Sequence, residues 1–470
     1  MTPNFGFGIG IIQFLLLILS CQGPQSVMPL LEVSERHRFL QDENGEPFFW
    51  LGDTGWLLFS KLDREEADKY LDNRAEKGFN VIQVMLVHDL KVKNIFGDSA
   101  LVNLDVSQAN VTPGSSFENA EEYDYWDHVD YIVDLAAEKG IYMAMVPVWG
   151  SNVKQGGVSR EQASMYAKWL AKRYAEKPNV IWLNGGDTRG SDSTATWNII
   201  GENIRKNAPD HLITFHPFGR TKSSTWFHHA FWLDFNMFQS GHRRYDQDDT
   251  ELGYGQDNWR YVRDDYRLNP VKPTIDGEPS YEGIPQGLHD PAEPYWNDDD
   301  VRRYAYWSVF AGGFGFTYGH SAVMQMHRPE NKEGSYGVKE YWYEAIDAPG
   351  AGQMKYLKIL MLSKPYFDRI PDQSIIAGNP GEKYNYLVAT RGREYALVYS
   401  YTGREMNIAM GKIAGAKARV SWFNPRNGEV STLGEFENSG VKLFDPPGEE
   451  EEGNDWVLVL ESLSTDDSKD

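Results

Sequence analysis

The 470-residue chain has one cysteine, Cys21, and far fewer basic than acidic residues. A single cysteine rules out an intrachain disulfide and a catalytic thiol elsewhere. The formal net charge of -22 argues against nucleic acid as a partner, because phosphate binding needs a basic surface. No GxGxxG or GxxxxGK pattern follows a predicted strand, so nucleotide chemistry is not expected.

Long apolar runs are also scarce, and the clearest one lies at the N-terminus. Residues 9–19 are too few for an ordinary transmembrane helix and have the length of a secretory signal core. Ile18-Leu19-Ser20-Cys21 resembles a bacterial lipobox, although no Lys or Arg precedes the apolar core. We therefore expect residues 1–27 to be a leader and Cys21 to be lipidated. The alternative is an ordinary cleaved signal peptide with an incidental cysteine.

This interpretation implies a secreted bacterial lipoprotein, periplasmic or displayed at the cell surface. Its contact with a membrane would be through the N-terminal lipid anchor alone.

From residue 48 onward, apolar strands alternate with amphipathic helices. The same punctuation recurs, a charged helix end, then Gly or Pro, then a strand, as at Glu76-Lys77-Gly78 and Glu176-Lys177-Pro178. Such spacing predicts a parallel sheet, and about eight units favour a closed (β/α)8 TIM barrel over an open sheet. The eight predicted strands lie at residues 48–51, 80–87, 141–148, 179–183, 212–215, 235–239, 271–275 and 315–318.

The predicted barrel domain spans residues 28–370 and begins with a β-hairpin over residues 31–49. Short β-rich runs separated by Gly, Asn and Pro then predict a smaller antiparallel β-sandwich over residues 371–463. Residues 464–470 are expected to be a disordered tail.

Polar side chains follow the predicted strands at their carboxyl ends, where barrel enzymes build their sites. Each has a structural alternative: Asp53 and Asp89 are equally consistent with helix caps or loops, and His216 with a structural histidine. The candidate substrate contacts are Asp53, His88, Asp89, Trp149, Asn184, His216, Gln239, Tyr318 and His320.

Two carboxylates stand out among these strand ends. Asp187 follows Gly185-Gly186 on the fourth strand, and Glu278 follows the seventh. Glycosidic bond cleavage needs such a pair, one to protonate the leaving oxygen and one to attack or activate water. The strand count assigns Asp187 as acid/base and Glu278 as nucleophile. Asp187 as a turn-forming residue and Glu282 as the nucleophile remain alternatives.

Other chemistries have weaker support. The histidines His88, His216, His242 and His320 are far apart, with neither HxH nor HExxH spacing, so we expect no metal. No GxSxG elbow indicates a serine nucleophile. No cofactor is predicted.

Four motifs of the predicted barrel resemble the apiosidase-like glycoside hydrolases, family 140. They are Phe49-Trp50-Leu51-Gly52-Asp53-Thr54-Gly55-Trp56, Trp182-Leu183-Asn184-Gly185-Gly186-Asp187, His216-Pro217-Phe218-Gly219-Arg220 and Asp276-Gly277-Glu278-Pro279-Ser280-Tyr281-Glu282. Trp422-Phe423-Asn424-Pro425-Arg426-Asn427-Gly428 resembles the β-sandwich, sometimes labelled collagen-binding, that follows such barrels. The barrel and the sandwich to which these motifs belong together cover nearly all of the chain after the leader.

The resemblance implies a retaining, exo-acting enzyme that releases apiose from side chains of the plant pectin rhamnogalacturonan II. It implies an Asp acid/base at Asp187 and a Glu nucleophile at Glu278 or Glu282. Gly-Gly-Asp replaces the Asn-Glu pair of related barrels, which weakens the analogy with that wider group. Two alternatives stay open, another exo-glycosidase on pectic glycans, such as an arabinosidase, and a non-catalytic surface protein that binds glycan or collagen.

Overall fold

The computed structural model describes residues 28–248, 254–331 and 334–463. The predicted leader, with Cys21, and the predicted tail lie outside these residues. The described chain begins with a three-stranded antiparallel sheet at the base of the barrel. Asp42 Oδ1 accepts hydrogen bonds from the backbone N–H groups of Asn44 and Glu46, which closes the turn of its second hairpin. The strands are β1 (Leu31–Val33), β2 (Leu40–Asp42) and β3 (Pro47–Phe48).

The next nine strands form the barrel sheet. Eight are parallel to their neighbours, and β9 is a short antiparallel addition at the edge of β10. Nearly every residue in the eight is buried, as expected for strands covered on both faces. The strands are β4 (Trp50–Thr54), β5 (Val81–Met85), β6 (Tyr142–Val146), β7 (Val180–Thr188), β8 (Ile213–Pro217), β9 (Thr221–Lys222), β10 (Asn236–Gln239), β11 (Thr274–Asp276) and β12 (Gly315–Tyr318).

The sheet closes between β8 and the residues that lead into β10. The backbone N–H of Asp234 donates to Ile213 O at 2.9 Å, and Thr214 Oγ1 donates to Phe235 O at 2.6 Å. The predicted (β/α)8 barrel is thus confirmed. β7 is its fourth parallel strand and β11 its seventh.

Helices surround the sheet and start at recognisable caps. Asp63 accepts from Glu66 N while the Glu66 side chain accepts from Asp63 N, and together these bonds form a capping box. Gly78, with φ of 81°, lets the chain turn away after this helix. The helices are α1 (Leu58–Lys61), α2 (Arg64–Glu76), α3 (Tyr125–Glu138), α4 (Gly150–Lys154), α5 (Arg160–Tyr174), α6 (Thr194–Asn207), α7 (Ser224–Phe227), α8 (Asn258–Tyr266), α9 (Asp298–Phe310), α10 (Ser321–Met324), α11 (Trp342–Ala345) and α12 (Pro349–Leu362).

The C-terminal strands form the predicted sandwich. A six-stranded antiparallel sheet runs in the order β13-β14-β15-β20-β17-β18, and β16 pairs with β19 in a second, two-stranded sheet. Apolar side chains from both sheets, including Val398 and Ile408, share one core. The strands are β13 (Ile370–Pro371), β14 (Val388–Arg391), β15 (Tyr395–Ser400), β16 (Met406–Ala409), β17 (Lys417–Phe423), β18 (Val430–Glu437), β19 (Val441–Phe444) and β20 (Trp456–Leu463).

Helix α9 joins the sandwich to the barrel. Arg302 on this helix forms a fully buried ion pair with Asp455, with Nε 3.0 Å from Oδ2. The rings of Tyr306 and Tyr399 stack 4.8 Å apart across the same seam. Breaking one partner of a buried ion pair costs about 3–5 kcal/mol, so this contact fixes the sandwich on the barrel.

Candidate active site

Asp187 lies at the carboxyl end of β7, directly after two glycines whose backbone has positive φ. Gly185 and Gly186 have φ of 97° and 98°, and Asp187 itself has φ of 46°. A Cβ at Gly186 would lie 2.5 Å from the Trp149 ring, so the close approach of this indole requires glycine. Left-handed non-glycine residues are uncommon and cluster at functional sites. The double glycine therefore directs the Asp187 carboxyl into the mouth of the barrel.

Glu278 lies two residues beyond β11 and contacts two imidazoles. His216 Nε2 is 3.1 Å from Glu278 Oε2, and His242 Nε2 is 3.3 Å from Oε1. Each carboxylate oxygen therefore has its own histidine. A Cβ at the preceding Gly277 would lie 2.5 Å from the Met237 sulfur, so glycine is needed to bring the chain this close to the barrel wall.

The two carboxyls are shifted in opposite directions. The enclosing pocket and then the negative charge of Glu278 raise the pKa of Asp187 to about 7. Burial alone would raise the pKa of Glu278 as well. Contacts with the imidazoles of His216 and His242 outweigh that effect and lower the pKa of Glu278 to about 2. Near neutral pH the site therefore holds one carboxylate and one carboxyl that still carries its proton for much of the time.

Both carboxyls face a cavity of about 280 Å³ at the barrel mouth. Aromatic side chains form much of its wall, with Trp56 and Trp149 at 5.4 Å between ring centroids. Such walls pack well against the faces of sugar rings. The cavity is lined by Trp56, Leu57, Met85, His88, Trp149, Asp187, Gln239, His242, Glu278, Tyr281, Ile284, Leu288, Met324, Gln325, Ser335 and Tyr336.

Several predicted residues meet in this cavity. Asp187 and Glu278 line it together with His88, Trp149 and Gln239. His216 is fully buried behind Glu278 and reaches the site through that carboxylate.

The sequence interpretation missed other parts of the wall. Trp56 donates through Nε1 to Tyr281 OH at 3.2 Å, and Tyr281 packs on His242 with ring centroids 4.8 Å apart. These residues thereby support the histidine that holds Glu278. Trp56 and Tyr281 belong to the barrel motifs and follow strands one and seven, so their position at strand ends could have indicated a place in the site. Tyr336 comes from a loop far beyond the last strand, where counting strands gives no indication of a site residue.

Asp53 is not a substrate contact. It is fully buried, with Oδ2 2.6 Å from both Arg74 Nε and Tyr70 OH of α2. β4 extends to Thr54, beyond the predicted end of its strand, and the Asp53 side chain points outward to the helix layer. Its role is to bind helix α2 to the barrel.

Glu282, Tyr318 and His320 also lie outside the cavity. Glu282 accepts from Tyr318 OH at 2.6 Å and from Gly350 N–H at 3.3 Å, and only 6% of the residue is exposed. His320 caps α10 through Nδ1, which accepts from Ala322 N–H. These three residues form a buried junction between the eighth strand and α12, and their assignment to substrate contact or catalysis is corrected accordingly.

Asn184 and Asp89 are structural as well. Asn184 is buried and donates to Trp197 O at 2.7 Å, which holds helix α6 against the barrel. Asp89 is exposed and accepts from Lys91 N–H at 2.7 Å in a loop turn, one residue beyond the cavity-lining His88. Neither side chain lines the cavity.

One cluster has the spacing of a metal site. One ligand atom each from Asp187, His216 and Glu278 lies within 4.8 Å of the other two. Two carboxylates and an imidazole suit a divalent cation chemically. The same atoms are also the ones that a pair of catalytic carboxyls and an orienting histidine would present.

Comparison with known proteins identifies the family. A family model described as "Apiosidase-like, catalytic domain" matches residues 34–368. The chain belongs to the apiosidase-like glycoside hydrolases. In this apiosidase-like enzyme the sandwich, residues 370–461, matches a model described as "Putative collagen-binding domain of a collagenase". A search of curated proteins returned no match.

Solved structures agree with this family assignment. One, a glycoside hydrolase, is 49% identical to the apiosidase-like chain, covers 93% of this chain and 98% of its own, and superposes with a TM-score of 0.88. Another, a glycoside hydrolase of family 5 from Bacteroides vulgatus, is 46% identical, covers 94% of both chains and has the same TM-score of 0.88. The chain is therefore a glycoside hydrolase with a TIM barrel and a β-sandwich.

Proposed function

We propose that the chain is a retaining exo-glycosidase that releases apiose from the side chains of rhamnogalacturonan II in plant pectin. The observation that carries this proposal is the carboxyl pair in one cavity, with the pKa of Asp187 raised and that of Glu278 lowered. A carboxyl that keeps its proton beside one that has lost it is the division of labour that glycoside cleavage requires.

In the first step, Glu278 attacks the anomeric carbon while Asp187 donates its proton to the glycosidic oxygen. The bond between that carbon and oxygen breaks, the aglycone leaves as an alcohol, and the sugar becomes an ester of Glu278. In the second step, the Asp187 carboxylate takes a proton from water. The resulting hydroxide attacks the anomeric carbon, and Glu278 leaves as a carboxylate.

His216 and His242 orient the nucleophile. Because they contact different oxygens of Glu278, they fix the plane of the carboxylate and stabilise the charge that returns to it in the second step. The ring of Trp149 lies against the backbone of Gly186 and so defines one side of the sugar site.

The spacing of the carboxyls supports retention of configuration. Retaining glycosidases hold the two groups about 5–5.5 Å apart, whereas inverting ones hold them about 6.5–9.5 Å apart to admit a water. One oxygen of Asp187 and one of Glu278 lie within 4.8 Å of each other, and this approach of single atoms is nearer to the shorter, retaining separation than to the longer one.

The cavity supports exo action on a small sugar. Its volume of about 280 Å³ is near the lower end of the roughly 300–1,000 Å³ typical of small-molecule sites, which suits one terminal sugar better than a chain. We propose apiose as that sugar because the chain belongs to the apiosidase-like family.

The test is product analysis after incubation with rhamnogalacturonan II oligosaccharides. We expect free apiose from the wild type and none from Asp187→Ala or Glu278→Ala, with Glu282→Gln as the matched carboxyl control that stays active. NMR of the first-formed sugar should show the anomeric configuration of the substrate. Inversion, or an active Glu278→Ala variant, would contradict the mechanism.

A panel of aryl glycosides and pectic oligosaccharides separates apiose from other terminal sugars, such as arabinose. Turnover of arabinosides in place of apiosides would replace the substrate while leaving the carboxyl roles intact. Binding of glycan or collagen with no turnover of any pectic substrate would instead favour a non-catalytic surface protein.

For location, we propose that lipidated Cys21 anchors the enzyme to a bacterial membrane, either in the periplasm or at the surface. Among the described residues, no helix combines the length and apolar character that a membrane crossing needs. Metabolic labelling with palmitate should mark the wild type and leave Cys21→Ser unlabelled. An unlabelled mature wild type would reduce the leader to an ordinary signal peptide.

A further inference from the structure

A second cleft lies at the seam between the barrel and the sandwich. It has a volume of about 310 Å³ and shares no lining residue with the catalytic cavity. Helix α8 and the residue after it contribute Trp259, Arg263, Tyr266 and Arg267, and the sandwich contributes Tyr386. We name these five residues the seam cleft.

Among the residues that the structure describes, the arginines of the seam cleft have no acidic partners. Within the described ranges, no carboxylate lies at ion-pair distance from Arg263 or Arg267, although Arg260 on the same helix pairs with Asp257 at 3.8 Å. Arg263 also has a buried Nε without a hydrogen-bond acceptor.

A third arginine adds to the positive charge of this region. The Arg38 guanidinium lies 3.6 Å from the centroid of the Tyr266 ring and donates to Tyr266 O at 2.7 Å. It too has no carboxylate at ion-pair distance in the described chain. The positive charge of this region is therefore available to an external anion.

Aromatic rings give the cleft its second chemical property. Trp259 and Tyr386 stack with centroids 4.1 Å apart and planes inclined by 11°, and Arg263 lies 4.9 Å from the Trp259 centroid. Because Trp259 lies between Tyr386 and Arg263, the stack presents the edges of its rings as a rigid apolar wall beside the guanidinium groups. Apolar walls pack against the carbon faces of sugars, and the planar guanidinium fork matches a carboxylate.

We propose that the seam cleft binds a carboxylated saccharide, such as a hexuronate unit of an acidic glycan. Arg263 and Arg267 would take the carboxylate, and the aromatic wall would take the sugar ring. A protein with a net charge of -22 repels acidic polymers at long range, so a local cationic site is the means by which it would hold one. Binding at this cleft does not require turnover in the barrel.

The test is isothermal titration calorimetry with trigalacturonate, against its fully methyl-esterified form as the uncharged control. We expect the wild type to bind the free acid and not the ester, with affinity that falls as NaCl is added. Arg263→Gln/Arg267→Gln should weaken binding by about tenfold or more, since two charge-assisted hydrogen-bond donors are lost. Arg419→Gln, which removes an exposed arginine of β17, should bind as the wild type does.

Equal binding of acid and ester, or unchanged binding by the double variant, would overturn the proposal. Displacement by inorganic phosphate at the same affinity would reduce the site to a general anion site and overturn its saccharide chemistry. Thermal melting and turnover of a small aryl glycoside check that the variants are folded. If the double variant is unstable, binding of trigalacturonate by the single variant Arg267→Gln, at an exposed residue, decides the test. Inactivity of every form, wild type included, would count against the proposed catalysis and not against the seam cleft.

Discussion

Asp187 and Glu282 are two carboxyls with the same raised pKa of about 7 in different surroundings. Asp187 opens into the catalytic cavity, whereas Glu282 is enclosed by Tyr318 and by the first turn of α12. In both cases desolvation is the main cause of the shift, for Asp187 within an open pocket and for Glu282 within the protein interior. A raised pKa therefore marks a carboxyl that keeps its proton, and access to a substrate decides whether that proton can be used.

The largest difference should appear when the neighbouring glutamates are exchanged for glutamine. Glu278→Gln should lower kcat by more than about 10⁴-fold, because it removes the nucleophile. Glu282→Gln can still accept from Tyr318 OH and should keep most of its activity. Steady-state kinetics on one substrate measure both. Comparable losses in the two variants would show that the enclosed carboxyl takes part in catalysis.

A second enclosed carboxyl, that of Asp53, allows a structural role to be tested separately from catalysis. Asp53→Asn leaves the buried Arg74 guanidinium without its counter-charge and should lower the free energy of unfolding by about 3–5 kcal/mol. Denaturant unfolding gives this value. Because Asp53 lies outside the cavity, KM of the folded fraction should not change. A large rise in KM would return Asp53 to the substrate site.

The pH profile of activity should follow the proton on Asp187. With its pKa raised to about 7, kcat/KM should fall roughly tenfold per pH unit above that point as the acid is lost. The lowered pKa of Glu278 keeps the nucleophile ionised on this alkaline side of the profile. Asp187→Asn should be slow and should lack the alkaline limb. If kcat/KM of Asp187→Asn still falls at alkaline pH, the fall is caused by titration of another group.

The ionisation of Glu282 should affect the stability of the fold and not the activity. Its pKa is about 7 in the fold against an ordinary 4.5, so the unfolded chain binds fewer protons between these values. Stability from this group is therefore lost as pH rises from about 4.5 to 7. The Tm of Glu282→Gln relative to the wild type should increase over that window. A constant difference in Tm would mean that Glu282 is ionised in the fold.

The smallest effect concerns the cavity rim. Tyr336 is 39% exposed and lines the cavity, whereas Tyr343 is 37% exposed and does not. Tyr336→Phe should raise KM by a few fold, as expected for one lost hydrogen bond, with Tyr343→Phe as the matched control. Equal effects on the two variants would remove Tyr336 from the sugar site.

The barrel was predictable because its signal is repeated. Eight apolar strands with the same helix ends between them specify a closed sheet, and the count then places Asp187 and Glu278 on strands four and seven. The position of Asp53 was not predictable in this way. β4 continues three residues past its apolar run, to Thr54, so Trp56 and not Asp53 reaches the cavity.

Site residues that lie outside the recognised motifs were also difficult to predict. His242 lies in the chain beyond the sixth strand and Tyr336 in a loop after the eighth, and no local pattern joins either to Glu278. The three-dimensional fold alone brings the His242 imidazole to 3.3 Å from that carboxylate. Glu282 was ambiguous for the opposite reason, since its sequence context matches that of Glu278 while its surroundings are closed.

The ion pair between Arg302 and Asp455 has a consequence for modular evolution and for engineering. Residues that belong to different domains in sequence share one buried charge pair, so deleting the sandwich would remove Asp455 and leave Asp298 as the remaining carboxylate paired with the buried Arg302 guanidinium on α9. The barrel therefore depends on the sandwich for part of its stability. A chimera that exchanges the sandwich would have to bring its own acid to the position of Asp455 and its own ring to that of Tyr399.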